Sequence, residues 1–251
     1  MEKVQIIKSF INIGKYEEFI WNLLELSKEK DSSYVCISNV HMTIEANDSD
    51  SFLGLVNDAD IATPDGMPLV KAMKLLYGIN QDRVAGMDLM PSLMKECDIR
   101  KKTIFLFGST DNILEIIKSK AKNEFPDLKI ESYSPPFRAL SEKEKADIVL
   151  RINSFNPDFV FVALGCPKQE KWMAEHKNKV KSCMIGLGGA FEVYAEVKDR
   201  APVWMQDYSL EWLYRFAQDP KRLWKRYMYT NSKFILLLLK QLIYLRLFKG
   251  K

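Results

Sequence analysis

The sequence is poor in the residues that bind transition metals or form disulfides. It contains two histidines and four cysteines in 251 residues. The cysteines are widely scattered, without a C-x-x-C pair, at Cys36, Cys97, Cys166 and Cys183. This spacing argues against a zinc site or a disulfide framework and indicates reduced thiols in a cytosolic protein. Because His41 and His176 are the only histidines, a histidine-rich metal centre is excluded as well.

Long apolar segments are also missing. The first eight residues, Met-Glu-Lys-Val-Gln-Ile-Ile-Lys, show no secretory signal. In the last part of the sequence the longest apolar run is the six residues 234–239, which Lys240 and Gln241 interrupt. About 20 apolar residues are needed to span a bilayer, so no transmembrane helix is predicted.

Acidic residues are lacking from residues 220–251, which contain nine Lys or Arg and six aromatic side chains. Residues 198–251 hold 12 basic and 4 acidic residues, a net charge of +8, whereas residues 1–197 are near −4. Cations mixed with aromatic and aliphatic side chains suit an anionic membrane surface. We therefore predict a catalytic or binding domain over residues 1–198. A basic, amphipathic helical appendage that associates with a membrane is predicted over residues 199–251.

Strand and helix patterns alternate through the body of the chain. Strands are predicted at residues 34–38, 103–107, 129–132, 158–164 and 182–187. Helices are predicted at residues 111–125 and 141–155, the second opened by a capping box of Ser141 and Glu144. Near-continuous apolar strands that alternate with helices are typical of α/β proteins. We therefore predict a Rossmann-like parallel sheet with helices on both faces.

Small or polar residues follow the predicted strands, and parallel sheets bind ligands at the carboxyl ends of their strands. These positions include Asn39, Gly108, Gln169, Gly188, Gly189 and Glu192. Together they favour a nucleotide-binding cleft. The pair Gly188-Gly189 is not a dinucleotide fingerprint, because Phe191 stands where a third glycine would be needed. A simple strand-to-helix turn is the alternative interpretation of this pair.

Asp65 lies in the densest local motif, Thr-Pro-Asp-Gly-Met-Pro over residues 63–68. Pro64 and Gly66 would fix the aspartate on a tight turn, with its carboxylate directed into a cleft. One interpretation is a general base that takes a proton from an attacking hydroxyl. The alternative is an Asx-turn in an ordinary loop.

Two D-x-D triplets, at residues 48–50 and 58–60, could hold a divalent cation against a diphosphate. The first looks like a helix start, and the second is better explained as turn or surface residues, so no metal site is predicted. A structural hydrogen bond is expected for His41. A solvated side chain is expected for His176, which lies in a polar helical segment.

Ordered motifs along almost the whole chain resemble the WecG/TagA/CpsF glycosyltransferases. They are Asn-Val-His-Met at 39–42, Ala-Asp at 59–60, Pro-Asp-Gly-Met at 64–67, Arg-Val-Ala-Gly-Met-Asp at 83–88, Phe-Gly at 107–108, Ala-Leu-Gly-Cys-Pro-Lys-Gln-Glu-Lys-Trp at 163–172, Gly-Gly-Ala-Phe at 188–191, Arg-Ala-Pro at 200–202 and Glu-Trp-Leu-Tyr-Arg at 211–215. Each motif is weak alone, and their order makes the resemblance specific.

The resemblance implies an inverting, metal-independent glycosyltransferase without a cofactor. Such an enzyme moves a sugar, N-acetylmannosamine or another hexose, from a UDP-sugar to a polyprenyl-diphosphate-linked acceptor. The implied location is cytoplasmic, peripheral on the inner face of the plasma membrane. The implied product is wall teichoic acid, capsule or another exopolysaccharide. A homo-oligomer is left open.

The resemblance also implies roles for particular residues. The catalytic base falls on Asp65. Substrate contacts fall on Asn39, Gln169, Glu192 and the glycines of the cleft, Gly108, Gly188 and Gly189. Arginines of the appendage that meet the lipid diphosphate fall on Arg215, Arg222 and Arg226.

Three positions depart from the family pattern. Ile37 stands where many members have threonine, Glu192 where aspartate is frequent, and Glu196 where glycine is usual. Ser38 could take over the hydroxyl contact that is lost at position 37. These departures bear on the identity of the sugar more than on the class of reaction.

Two other interpretations of the basic end remain open. The first is a non-enzymatic nucleic-acid-binding protein with a basic aromatic tail. The leucine-rich residues 234–247 argue against nucleic acid, because an interfacial helix needs them and a nucleic-acid-binding tail does not. The second is a buried core or oligomer helix over residues 234–247.

Overall fold

The computed structural model describes residues 1–28 and 31–248, with the exception of the Arg222 side chain. The strands are β1 Lys3–Ile6, β2 Ser9–Asn12, β3 Ser33–Ser38, β4 Ile61–Pro64, β5 Thr103–Gly108, β6 Lys129–Tyr133, β7 Phe159–Ala163 and β8 Cys183–Gly186. The helices are α1 Tyr16–Lys28, α2 Val40–Asp48, α3 Asp50–Asn57, α4 Met67–Tyr77, α5 Gly86–Ile99, α6 Asp111–Glu124, α7 Glu142–Phe155, α8 Lys168–His176, α9 Ala190–Tyr194, α10 Val203–Asp207, α11 Glu211–Gln218 and α12 Pro220–Phe248.

Six strands form one sheet in the order β4-β3-β8-β7-β5-β6. The neighbouring pairs β3-β8, β8-β7, β7-β5 and β5-β6 are parallel. Phe105 of β5 lies opposite Val160 of β7. Most residues of β5 and β7 are buried on both faces, so these strands read as continuous apolar runs. The predicted α/β parallel sheet is confirmed, and each predicted strand lies within one residue of its observed bounds.

The predicted helices are also present, because their ends carry clear start signals. The hydroxyl of Ser141 accepts from the backbone N–H of Glu144, and the Glu144 carboxylate accepts from the backbone N–H of Ser141. This capping box starts α7 where it was predicted. Thr110 caps α6 in the same manner by accepting from the N–H of Ile113.

The chain forms two compact units. The sheet unit comprises residues 17–36 and 86–199, which include β5 to β8 and most of β3. The hairpin unit comprises residues 1–16, 37–85 and 200–251. It is therefore built from three segments that are far apart in the sequence.

The hairpin unit has its own apolar core beneath the antiparallel pair of β1 and β2. The core residues come from the hairpin and from α2, α4 and α12, and are Ile6, Ile11, Ile44, Leu69, Ala72, Met73 and Phe234. The hairpin turns at Ile7, whose φ of 61° is unusual for a β-branched residue. Its N–H donates to Oε1 of Gln241 at 2.7 Å, so α12 holds the turn.

Helix α12 has apolar side chains on two sides. On one side Phe234 is 4% exposed, and Leu237 and Leu238 pack against the same core. The other side presents large exposed side chains, which include Trp224, Met228, Ile235, Leu236, Leu239, Ile243 and Leu247. Phe234, the first residue of the apolar run 234–239, therefore fills the core of the hairpin unit. In the described part of the chain, no helix has the length and apolar character to cross a membrane.

Candidate active site

Asp65 directly follows β4, so its position is fixed by the end of a strand as well as by the turn. Its N–H donates to the carbonyl of Ser38 at 2.8 Å, and Val84 donates to the carbonyl of Pro64 at 2.9 Å. The hydroxyl of Thr63 donates to the carbonyl of Val84 at 3.1 Å. These bonds hold the backbone on both sides of Asp65, whereas the sequence predicted a turn held by Pro64 and Gly66 alone.

Asn39 presents its amide to Asp65. The Oδ1 atom of Asn39 accepts from the N–H of Met42 at 3.1 Å and thereby caps α2. Its Nδ2 is then directed to Oδ2 of Asp65, at 3.5 Å. The two predicted site residues therefore lie together, and the helix cap fixes which end of the amide faces the carboxylate.

The pKa of Asp65 is raised from 3.8 to about 6, and burial of the carboxyl is the largest cause. The negative charge of Glu211 also raises it, whereas Arg215, Arg83 and the hydrogen bond from Asn39 lower it. A carboxylate with a pKa near neutrality combines appreciable ionisation with useful proton affinity. These are the properties of a general base.

A network of charged side chains lies beside Asp65 within the hairpin unit. Oε2 of Glu211 accepts from Arg83 at 3.0 Å, and its Oε1 accepts from Arg215 at 2.6 Å. Oε1 of Gln206 accepts from Arg83 at 2.7 Å and from Arg200 at 3.0 Å. Sequence reasoning gave no role to Arg83, Gln206 or Glu211. The signal that could have found Arg83 and Glu211 is their presence in two of the family motifs.

The three predicted diphosphate arginines have different positions. Arg215 is bonded to Glu211, and its charge acts on Asp65. Arg226 lies on α12 with its guanidinium 5.4 Å from the centre of the Tyr227 ring. The side chain of Arg222 lies outside the described part of the structure. Of the two arginines whose side chains are described, Arg215 is the one whose charge acts on the candidate base.

Gly108 ends β5 in a conformation that requires glycine. Its φ is 104°, and a Cβ atom would lie 2.5 Å from the carbonyl oxygen of Ala163. The next residue, Ser109, has a φ of 58°, and its N–H donates to the same carbonyl at 2.9 Å. The chain can thus turn sharply at this strand end, as the prediction of a cleft requires.

Gln169 is a buried link between the ends of two strands of the sheet unit. Its Oε1 accepts from the N–H of Gly165 at 3.2 Å. Its Nε2 donates to the carbonyl of Gly186 at 3.0 Å and to the carboxylate of Glu170 at 2.8 Å. Because its amide is engaged inside the protein, the geometry favours a role in holding the strand ends. Its contact with substrate stays a prediction.

The turn after β8 contains three other predicted substrate residues. Gly188 has a φ of 50°, and a Cβ there would lie 3.2 Å from Oε1 of Gln169. Gly189 has an ordinary φ of −66°, and an added Cβ would meet no atom within 4 Å among the described residues. Glu192 lies in the first turn of α9, and its carboxylate accepts from Lys198.

The two histidines lie in different surroundings. The expectation of a solvated His176 is wrong. Its ring is buried, bonds to the carbonyl of Trp172 at 2.7 Å and stacks on the Trp172 ring at 4.3 Å. Polar neighbours dominate that segment, so this burial could not be predicted from the local pattern. His41 lies in the first turn of α2, with Nδ1 3.9 Å from the carboxylate of Glu45.

Three aspartates of the D-x-D triplets have structural positions. Asp48 ends α2 and accepts from Lys233 and Tyr229 of α12 at 2.6 Å each. Asp50 begins α3 after the cap Ser49, and Asp58 is the C-cap of that helix. Across residues 1–28 and 31–248, no group of three or more His, Cys, Asp or Glu is arranged to hold a metal ion. A metal-independent reaction stays a prediction.

Comparison with known proteins gives one family. Residues 4–247 match the profile described as the glycosyl transferase WecG/TagA/CpsF family.

Three curated relatives share the name N-acetylglucosaminyldiphosphoundecaprenol N-acetyl-beta-D-mannosaminyltransferase. The protein of Bacillus subtilis (strain 168) is 33% identical over 214 residues, which are 85% of this chain and 81% of the relative. That of Bacillus spizizenii (strain ATCC 23059 / NRRL B-14472 / W23) is 30% identical over 213 residues, 84% and 80% of the two chains. That of Staphylococcus aureus (strain MW2) is 30% identical over 198 residues, 78% and 76% of the two chains.

Proposed function

Because the chain belongs to the WecG/TagA/CpsF family of glycosyltransferases, we propose that it transfers a sugar from a UDP-sugar to a polyprenyl-diphosphate-linked acceptor. The names of the relatives make N-acetylmannosamine the first donor sugar to test and diphosphoundecaprenol-linked N-acetylglucosamine the first acceptor. Another hexose is the alternative donor. Membership of this enzyme family also sets aside the non-enzymatic, nucleic-acid-binding interpretation.

The observation that carries the proposal is the environment of Asp65. Its carboxylate is fixed at the end of β4, touches Asn39 and has a pKa of about 6. In the proposed reaction it takes the proton of the acceptor hydroxyl while the hydroxyl oxygen attacks the anomeric carbon of the donor. A new carbon–oxygen bond forms, and the bond from the anomeric carbon to the UDP oxygen breaks. UDP leaves with the electron pair, and the anomeric configuration inverts.

The departing UDP requires stabilisation of its growing negative charge. In a metal-independent reaction this comes from backbone N–H groups and cationic side chains. We assign the donor nucleotide to the strand ends that contain Gly108, Gly188 and Gly189, with Gln169 and Glu192 as further donor-site residues. Gly108 and Gly188 support this assignment because their positive φ values favour glycine. Glycine has no side chain to fill the space at these strand ends. Asn39, which contacts Asp65, is assigned as a substrate-binding residue of the hairpin unit.

The lipid diphosphate of the acceptor is assigned to Arg215, Arg222 and Arg226. The exposed apolar side of α12 supports a peripheral attachment to the inner face of the plasma membrane, where such an acceptor lies. Basic residues on the same helix, such as Lys221 and Lys240, add attraction to anionic lipid. The pathway can be wall teichoic acid, capsule or another exopolysaccharide.

The direct test incubates the full chain with a panel of UDP-sugars and a short-chain polyprenyl diphosphate that carries N-acetylglucosamine. We expect one donor to give a disaccharide lipid of inverted anomeric configuration, with and without EDTA. Mass spectrometry identifies the product, and NMR gives its configuration. Absence of product with every donor and acceptor would refute the proposal, and loss of activity in EDTA would refute its metal independence.

A second experiment tests the membrane attachment. The protein should float with liposomes that contain anionic lipid, and it should not retard single-stranded DNA in a gel at the same salt concentration. Binding to DNA without binding to liposomes would contradict the proposed surface.

A further inference from the structure

Glu211 occupies a position that resembles that of a bound anion. Its two carboxylate oxygens accept from two different guanidinium groups, those of Arg83 and Arg215. The side chains of Arg83 and Glu211 are 16% and 22% exposed, and that of Arg215 is 41% exposed. Two arginines that converge on one oxyanion are a common means of binding carboxylate or phosphate.

Arg83 has a second attachment that does not involve Glu211. Its Nη2 donates to Oε1 of Gln206, a buried residue whose Nε2 donates to the carbonyl of Ala201 at 2.6 Å. Arg200 donates to the same Gln206 oxygen. Arg83 can therefore keep its position when Glu211 is replaced as its partner, which is required of a site that exchanges one anion for another.

The charges that act on Asp65 have opposite effects. Glu211 on α11 increases the proton affinity of the aspartate, whereas Arg215 on α11 and Arg83 decrease it. The Asn39 amide on the other side also favours the ionised form. The balance between one carboxylate and two guanidinium groups is thus part of what determines the strength of the base.

We propose that Glu211 is a positioning residue that occupies the anion site of Arg83 and Arg215 until the diphosphate of the acceptor replaces it. The inference rests on the proposed function, because it deepens the role of the site at which the acceptor reacts. A diphosphate carries more negative charge than a carboxylate, and Glu211 remains nearby on α11. Arrival of the acceptor therefore strengthens Asp65 as a base at the moment when a hydroxyl is available.

The first test measures binding of inorganic pyrophosphate to the full chain by calorimetry. Glu211→Gln removes the internal anion, so its affinity for pyrophosphate should rise about fivefold, the scale of partly exposed ion pairs. The control is Asp50→Asn, which changes an exposed carboxylate of the same unit to an amide and should leave the affinity unchanged. Equal affinity in the wild type and in Glu211→Gln would overturn the proposal.

The same variants distinguish the two possible sources of the diphosphate, which are the polyprenyl diphosphate acceptor and the UDP-sugar donor. If the acceptor uses this site, Glu211→Gln should lower the KM for the polyprenyl diphosphate substrate and leave the KM for the UDP-sugar unchanged. A change confined to the UDP-sugar would contradict the assignment to the acceptor.

The second test follows the carboxyl carbon of Asp65 by NMR in the full chain, with Asp65→Asn for assignment. Loss of the Glu211 charge should move the titration midpoint to lower pH in Glu211→Gln. Glu211→Asp keeps the charge with a shorter reach and should titrate close to the wild type. Identical titrations in all three proteins would overturn the proposal. Neither this measurement nor pyrophosphate binding needs turnover, so the role of Glu211 can fail or stand separately from the glycosyltransferase reaction.

Discussion

The strand ends of the two units offer a substrate different chemistry. In the sheet unit the predicted donor residues are mainly glycines, with the buried Gln169 bonded to the backbone around them. In the hairpin unit Asp65 is surrounded by charged side chains that influence its proton affinity. The first arrangement depends on the space that small residues leave open, and the second depends on charge. Substitutions that add volume should therefore lower the stability of the first arrangement. Substitutions that remove charge should change the activity of the second.

The largest expected effect belongs to Asp65→Asn, which keeps the shape of the side chain and removes its charge. Turnover should fall by about 10²- to 10⁴-fold, the usual contribution of a general base. The kcat/KM of the wild type, which reports the free enzyme, should rise with pH through a midpoint near 6, because the base must be ionised. A steady-state pH profile checks both statements, and wild-type turnover in the variant would remove Asp65 from the mechanism.

The same substitution should increase stability. The folded protein binds a proton at Asp65 below about pH 6, whereas the unfolded chain binds it near 3.8, so stability falls as the pH rises between these values. Above this window Asp65→Asn should raise the free energy of unfolding by up to about 3 kcal/mol. Urea denaturation at pH 4 and pH 7.5 measures this gain, which should be present at pH 7.5 only.

The second effect concerns volume at a strand end of the sheet unit. Gly108→Ala should cost about 3 kcal/mol of stability, because the new Cβ meets a backbone oxygen and the positive φ is strained. The matched control is Gly189→Ala, whose Cβ meets open space and which should change stability by less than about 0.5 kcal/mol. Urea denaturation compares the two variants, and equal stability would contradict the steric argument.

The third effect extends the comparison to the two sides of α12. Ile243 is 57% exposed, so Ile243→Ser should leave folding intact and weaken binding to anionic liposomes about tenfold. Leu238→Ala, on the side that packs on the core, should instead lower stability by about 2 kcal/mol. Flotation and thermal denaturation of both variants separate these outcomes. Unchanged flotation of Ile243→Ser would show that this side of the helix does not meet the bilayer.

The smallest effect concerns Glu196, which departs from the glycine usual in the family. Its φ is 57°, and its exposed carboxylate pairs with Lys120. Glu196→Gly should relieve the backbone strain and raise Tm by about 2 °C, because the lost surface ion pair contributes little. Glu196→Ala removes the same pair without relieving the strain, so its Tm should not rise. Calorimetry of the two variants decides whether conformation or charge governs this position.

The sheet could be predicted because its determinants are local. Apolar runs such as Phe159–Ala163 are long enough to identify buried strands, and the Ser141 and Glu144 pair identifies the start of α7. The hairpin of β1 and β2 was not predicted, because its turn contains Ile7 rather than the Asn-Gly or Asp-Gly pairs that normally favour such turns.

The charged network could not be predicted from spacing. Arg83 and Glu211 lie 128 residues apart in the sequence, and no local pattern relates them. The candidate base and its neighbour Asn39 were found because both follow strands and both fall in family motifs. The partners that set the proton affinity of Asp65 depend on tertiary contacts, which a single sequence does not reveal.

The assembly of the hairpin unit from three distant segments has a consequence for synthesis on the ribosome. Domains generally fold as units while the chain emerges. The strands of the sheet unit are all available once residue 199 has emerged, but the pocket around Phe234 and the Glu211 pairs with Arg83 and Arg215 must wait for later residues. The nascent chain can thus hold a folded sheet unit before Asp65 has acquired its charged neighbours. Catalytic competence is the last property that this polypeptide gains.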